Sequence, residues 1–162
     1  MTWKCALITG GAKGLGKAFA RLLIKQNKTV YIADCDEHAL VEAAKEIGAA
    51  GHFWVDSANI SELAVFTQNV LKKVPEIDCL INNAGIQMPL DFVKGADLSN
   101  ATKEINTNVL SLVHVCGLLV PHLVKKDTAC IMNVSSGLAY VPASFAPVYS
   151  ASMANVLFIF YH

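Results

Sequence analysis

Thr9-Gly10-Gly11-Ala12-Lys13-Gly14-Leu15-Gly16 forms a glycine-rich stretch between a short apolar run, Ala6-Leu7-Ile8, and a helical pattern that begins near Lys17. A strand, a permissive turn and a helix start are the parts that hold a nucleotide pyrophosphate. The helix N-terminus presents unpaired N–H groups and a partial positive charge, and glycines let phosphates approach them. Two phosphate-binding patterns fail here. A P-loop needs Ser or Thr at position 18, where its hydroxyl would hold Mg²⁺, and the residue is Ala18. The G-x-G-x-x-G fingerprint fails because Gly14-x-Gly16 is followed by Phe19. The pattern that fits is T-G-x-x-x-G-x-G, with Thr9, Gly10, Gly14 and Gly16 in place.

Tyr31-Ile32-Ala33-Asp34 puts a carboxylate at the end of the next apolar run, 18 residues beyond Gly16. A carboxylate there can accept hydrogen bonds from the hydroxyls of an adenosine ribose and would repel a 2′-phosphate. Lys13, beside the second glycine, argues the other way by offering a cation to that phosphate. Asp34 lies closer to the 2′ position, so NAD is expected in preference to NADP. The alternative for Asp34 is a helix cap ahead of Glu37.

The surrounding pattern supplies the elements to position these groups. Strands are expected at Trp3–Thr9, Thr29–Ala33, His52–Val55, Ile77–Ile81 and Ala129–Val134. Helices are expected over Leu15–Gln26, with Phe19, Leu22 and Leu23 on one side, and over Asp36–Ile47. A third runs over Ser61–Val74, capped by Ser61, with Leu63, Phe66, Val70 and Leu71 inward. A long helix follows over Leu98–Leu119, limited by Pro121, and a last one starts near Val148. Repeated βα units with near-continuous apolar strands predict an α/β fold. It is a doubly wound, Rossmann-type parallel sheet of five strands, with its ligand at the strands' carboxyl ends.

Composition fits one domain. The 162 residues are 54% hydrophobic and 16% charged, enough for a core and against disorder. Thirteen basic and thirteen acidic residues balance, which gives no sequence-wide attraction to nucleic acid or an anionic membrane. The five cysteines, Cys5, Cys35, Cys79, Cys116 and Cys130, lack a Cys-x-x-Cys spacing and read as buried thiols in a reducing compartment. No metal-ligand spacing is present. The N-terminal apolar run is too short for a signal peptide, and Val156–Tyr161 is too short to span a bilayer, so a soluble cytoplasmic protein is expected.

With Asn82-Asn83-Ala84-Gly85 directly after the fourth strand, the chain resembles the short-chain dehydrogenase/reductase family. T-G-x-x-x-G-x-G, the acid ending the second strand, Asp56 ending the third and N-N-A-G follow in that family's order and spacing, over essentially the whole sequence. Gly137–Pro142 and Ile81–Gln87 also resemble a bacterial subgroup of uncharacterised oxidoreductases linked to lipoteichoic-acid D-alanylation operons. The family resemblance implies that Asp56 and Ser57 meet the adenine and that Asn82, Ala84 and Gly85 line the cofactor. It implies a catalytic asparagine at Asn108, with Asn106 as the alternative. It also implies a catalytic Ser136, preferred over Ser135 because it precedes Tyr149 by thirteen residues. In that family serine polarises a carbonyl or alcohol, tyrosine exchanges the proton, and the nicotinamide carries the hydride.

Two departures from the family pattern stand out. A free phenol has a pKa of about 10. The family lowers it with a lysine four residues beyond the tyrosine, where this chain has Met153 in Tyr149-Ser150-Ala151-Ser152-Met153. A thioether carries no charge, and no Lys or Arg follows Lys126. The family pattern also continues past this helix with further strands and a substrate lobe, whereas this sequence ends at His162. The fifth strand is then expected to be an edge, with the apolar helix Asn155–Tyr161 partly uncovered. Both favour self-association, by way of the long helix and the last one. The resulting expectation is an oxidoreductase of alcohols or carbonyls with impaired activity. The alternative is an inactive nucleotide-binding or dimerising relative. Substrate specificity is not written in loops Gln87–Ala96 and Gly137–Ala146.

Overall fold

Successive residues of the first strand, β1 (Cys5–Thr9), go to opposite faces of a sheet. Cys5 and Leu7 join one buried cluster, Ala6 and Ile8 another. This is the period-two alternation of a strand covered on both sides. In this computed structural model, which describes residues 2–95 and 97–159, four more strands lie parallel to it. They are β2 (Thr29–Asp34), β3 (Gly51–Trp54), β4 (Cys79–Asn82) and β5 (Cys130–Asn133), in the sheet order β3-β2-β1-β4-β5. The chain winds outward from β1 through β2 to β3, then crosses back to β4 and β5. The order therefore reverses between β1 and β4, and a crevice opens at their carboxyl ends.

Helices α1 (Gly14–Lys25) and α2 (Glu37–Ile47) cover one face, and α3 (Leu63–Lys73), α5 (Ser111–Leu123) and α6 (Pro147–Phe158) cover the other. The expected doubly wound fold is present. Several boundaries differ for local reasons. Ser61 does not cap α3. It lies in a 3₁₀ turn, Ile60–Glu62, and its hydroxyl donates to Asn59 Oδ1 at 2.7 Å. A side-chain cap does form ahead of α2, where Asp36 Oδ1 accepts from the Ala39 amide at 3.0 Å. On α1, Leu23 is buried but Leu22 is 53% exposed, so the inward stripe is narrower than expected. Cys35 is exposed rather than buried, because it follows the last ladder residue of β2.

The long helix is three segments in one run: α4 (Leu98–Ile105), a widened π turn (Asn106–Leu110) and α5. Pro121 lies inside α5 rather than ending it. Proline removes only its own N–H bond, and its ring faces the carbonyl four residues back, which belongs to Gly117. Buried Leu119 and Leu123 hold that last turn in the core. Among the described residues, Leu98–Leu123 is long and apolar enough to cross a membrane by length and composition. Here Leu112, Val115, Leu119 and Leu123 belong to the core on the α3 face of the sheet. The expectations for Ala96 and for Phe160 to His162 lie outside the described residues.

Asp78 starts the β1–β4 ladder. Its carboxylate accepts from the Lys4 amide at 3.0 and 2.8 Å and from the Cys5 amide at 2.7 Å. Replacing Asp78 with alanine leaves both amides without this acceptor, one of them the amide of a buried residue. Urea denaturation of D78A is expected to show a loss of about 1–3 kcal/mol. An unchanged midpoint would mean that water replaces the carboxylate at no cost.

Candidate functional site

The glycine turn is joined to the end of β4 by side chains. Thr9 Oγ1 accepts from the Asn83 and Ala84 amides, each at 3.1 Å, and lies 3.5 Å from the Ile81 carbonyl. The Asn83 side-chain amide donates to the Thr9 and Gly10 carbonyls, each at 3.0 Å. The first turn of α1 is thereby drawn against the turn itself. A Cβ on Gly16 would stand 2.1 Å from the Gly10 carbonyl oxygen and 2.5 Å from Asn83 Nδ2, which no side chain tolerates. Gly14 is different. It adopts φ +51°, and a Cβ there would meet nothing within 4 Å, so the α1 entrance faces open space.

Lys13 occupies the cap position of α1 and makes no side-chain cap hydrogen bond. The first N–H groups of α1 are thus left without a side-chain cap, the condition under which a helix end takes an anion. These residues line a cleft of about 550 Å³ running across the carboxyl ends of the strands. Gly10, Lys13, Gly14 and Leu15 form its floor near α1, and Asp34, Asp56 and Ser57 close one end. Asn82, Ala84, Gly85 and Asn108 line its middle, with Tyr149 and Met153 on the α6 side. The dimensions, the uncapped helix and the acid at the β2 end suit a ligand with phosphate in its middle and hydroxyls at one end.

Asp34 is not the helix cap. Its Oδ2 accepts from the Ala12 amide at 3.1 Å and its Oδ1 from the Asp36 amide at 3.2 Å, which fixes the carboxylate beside the glycine turn. Lys13 turns toward Asp36, with Nζ to Oδ2 at 2.5 Å, and this hydrogen bond holds the Asp36 carboxyl below its ordinary range. Both groups are exposed, so the pair adds little to stability. Asp56 Oδ1 accepts from the Ala58 amide at 2.9 Å, and Asn106 Nδ2 donates to the Ala58 carbonyl at 3.3 Å. Asn106 therefore supports the loop carrying Asp56 and Ser57, while Asn108 faces the cleft.

Asn82 is a sheet residue as much as a cleft residue. Its amide donates to Asn133 Oδ1 at 2.8 Å and to Cys116 Sγ at 3.2 Å, joining β4 to β5 and α5. Asn108 is 2% exposed and grips Ile86 by both backbone groups. The Ile86 amide donates to Asn108 Oδ1 at 2.8 Å, and Asn108 Nδ2 donates to the Ile86 carbonyl at 2.8 Å and to Ser152 Oγ at 3.0 Å. The widened π turn sits at this asparagine, a distortion common at functional positions.

The two serines differ in what their hydroxyls do. Ser135 lines the cleft and donates to the Met153 carbonyl at 2.8 Å. Ser136 is not among the cleft-lining residues, and its oxygen accepts from the Leu138 amide at 3.2 Å. A hydroxyl that accepts still has its proton to donate, whereas that of Ser135 is already committed. Tyr149 is half-buried on the cleft wall, and its hydroxyl has no protein hydrogen-bond partner among the described residues. Met153 is 4% exposed and packs in the α3-side core. Burial pushes the Cys5 thiol up to about 12 and also raises Cys79 and Cys116, so these thiols are inert packing groups.

Sequence reasoning did not single out Asn83, Ile86, Met88, Lys103 or Thr107. All five line the cleft with Asn108. Lys103 and Thr107 could have been found, because they lie one helical turn apart on the run carrying Asn108. Ile86 and Met88 contribute backbone, which residue type does not reveal.

The sequence profile of the family described as short chain dehydrogenase matches residues 4–159. The chain is 37% identical over 155 residues to the uncharacterised oxidoreductase DltE of Bacillus subtilis (strain 168), spanning 95% of this chain and 62% of that protein. Among solved structures, a short-chain dehydrogenase/reductase of Burkholderia phymatum in complex with NAD has the same fold. Its TM-score is 0.88 at 24% identity, over 97% of this chain and 57% of that one. A short-chain dehydrogenase of Sphingobium yanoikuyae in complex with NADPH gives a TM-score of 0.85 at 25% identity, over 96% of this chain and 62% of that one. The chain thus spans less than two thirds of each of these proteins.

The Thr9 hydroxyl is the acceptor that joins the glycine turn to the β4 end. Thr9→Val keeps the shape and leaves the Asn83 and Ala84 amides unpaired. It is expected to cost about 1–3 kcal/mol in chemical denaturation. Thr9→Ser, which restores the acceptor, should recover most of that loss, and equal losses in the two variants would assign the effect to packing.

Proposed function

The chain belongs to the short-chain dehydrogenase/reductase family, and from that premise we propose that its cleft binds a nicotinamide dinucleotide, NAD in preference to NADP. The reaction is hydride transfer to or from a small alcohol or carbonyl compound. The observation that carries this reading is the uncapped entrance of α1 in the middle of one continuous cleft. Asp34 and Asp56 lie at one end of that cleft and Tyr149 at the other.

The α1 amides and Gly14 would hold the pyrophosphate, Asp34 the adenosine ribose hydroxyls, and Asp56 with Ser57 the adenine. Asp34 favours NAD because its charge opposes a 2′-phosphate. Lys13 counters it weakly, since its ammonium group is engaged by Asp36. When bound, the nicotinamide supplies or accepts the hydride. Ser136, with its proton uncommitted, would polarise the substrate oxygen. Tyr149 would exchange the proton, and Asn108 would hold the middle of the cleft in place.

Met153 carries a second reading, a nucleotide-binding protein with little or no turnover. A buried thioether offers Tyr149 no charge where the family pattern has a lysine. Self-association through α4, α5 and α6 fits either reading, since Leu110, Val113 and Leu118 are exposed along that face.

Calorimetric titration with NADH and NADPH tests the binding. NADH should bind about tenfold or more tightly than NADPH, a difference of about 1.4 kcal/mol, and Asp34→Ala should narrow the gap by improving NADPH. A folded protein that binds neither would overturn the dinucleotide reading. Carbonyl-dependent NADH oxidation then separates the two readings. Near-background turnover that rises at least about tenfold with Met153→Lys fits a site lacking only its cation. Appreciable turnover by the unmodified chain excludes the inactive relative.

A further inference from the structure

Glu104 sits one helical turn before Asn108 and is completely buried. Its Oε2 accepts from the Met88 amide at 3.4 Å, and its Oε1 has no hydrogen-bond partner. No lysine, arginine or histidine pairs with it among the described residues. Burial pushes its carboxyl up, against a smaller opposing effect from the Met88 amide. A carboxyl so placed destabilises a fold, since an apolar side chain of similar size would bury no unpaired oxygen. Nothing in the packing of α4 therefore favours glutamate at this position, and its one partner belongs to the cleft wall.

The partner falls in a regular arrangement. Asn108 holds both backbone groups of Ile86, and Glu104 holds the amide of Met88. Four residues of α-helix rise about 6 Å, and two residues of extended chain span about 6.6 Å. Side chains one turn apart on α4 and the π turn can therefore engage alternate residues of the segment leaving β4. Ile86 and Met88 line the same cleft as the glycine turn.

We propose that Glu104 is a positioning residue for the dinucleotide cleft. It clamps Met88 while Asn108 clamps Ile86, so that the segment after β4 keeps its distance from the α1 entrance. The proposal rests on the dinucleotide reading for its purpose, while the clamp itself can be observed without any ligand.

The test uses Glu104→Met, which has similar length and no acceptor oxygen, and Glu104→Gln, which keeps one. Hydrogen exchange at the Met88 amide, thermal unfolding and NADH titration are measured on the 162-residue chain. Glu104→Met is expected to raise the unfolding midpoint, yet speed Met88 exchange and weaken NADH binding by about fivefold each, the loss of one hydrogen bond. Glu104→Gln should stay within about twofold of the unmodified chain in both exchange and binding. A side chain that only fills space would not show rising stability with falling affinity, nor rescue by glutamine. Unchanged Met88 exchange in Glu104→Met overturns the clamp, and so does faster exchange with unchanged NADH affinity. If Glu104→Met does not fold, a large loss of Met88 protection in Glu104→Gln overturns it as well. Absence of NADH binding by the unmodified chain would instead defeat the dinucleotide reading, and Met88 exchange would still judge the clamp.

Discussion

The junction between the ends of β1 and β4 sets the geometry of the whole cleft. Four hydrogen bonds cross it, two into the Thr9 hydroxyl from the Asn83 and Ala84 amides and two from the Asn83 side chain to the Thr9 and Gly10 carbonyls. These bonds draw the glycine turn so close that a Cβ on Gly16 has no room. The axis of α1 then starts directly over the point where strand order reverses. An anion-binding helix end is useful only if aimed at the crevice, and this junction does the aiming. Asp34 adds a third attachment by accepting from the Ala12 amide on the β2 side of the turn. The turn is thus held from both neighbouring strands before any ligand arrives, which lowers the ordering cost of binding.

Buried polar groups follow the same logic further along the cleft. Asn82, Asn108 and Glu104 are all buried, and each bonds backbone or another element, Glu104 with one of its two oxygens. Asn82 ties β4 to β5, Asn108 ties the π turn to Ile86 and α6, and Glu104 ties α4 to Met88. Such groups cost desolvation, and a set of them along one crevice makes sense where exact spacing matters more than stability. The opposite arrangement holds on the α1–α2 face. There the buried cluster is Ala, Val, Leu, Ile, Trp and Cys, with no buried charge, and no cleft needs to be shaped.

The parts legible in the sequence were those written in periodicity and in residue type. All five strands fell where apolar runs lay, within two residues, the signal being unbroken in β1 and β4, which are buried throughout, and weaker in the edge strands β3 and β5. The glycine turn and Asp34 were legible because φ +51° at Gly14 favours glycine over residues with a side chain, and only an acid gives a carboxylate at the β2 end. What was not legible involved competition between neighbours. Ser61 had the right type for a cap, but Asn59 takes its hydroxyl and the chain has already turned. Pro121 had the right type for a stop, but only two residues of helix follow it, and buried Leu119 and Leu123 hold that turn in the core. The roles of Ile86 and Met88 are backbone roles, and nothing in the residue type of Glu104 announces its complete burial.

Methionine at 153 affects charge and frame differently. The position of α6 relative to β5 is fixed partly by the Ser135 hydroxyl, which donates to the backbone carbonyl of residue 153 and not to its side chain. Asn108 reaches the same helix through Ser152, whose hydroxyl also donates to the Tyr149 carbonyl. Both attachments are indifferent to what residue 153 carries, so Tyr149 keeps its place on the cleft wall with methionine present. The thioether meanwhile packs in the core with Val156 while bordering the cleft. The exchange of lysine for methionine, seen against the family pattern, removes a cation from beside the phenol and leaves the phenol where it was. On the proposed reading the obstacle that methionine presents would be one of charge and not of geometry, and the glycine turn and Asp34, which lie on other elements, are untouched by it.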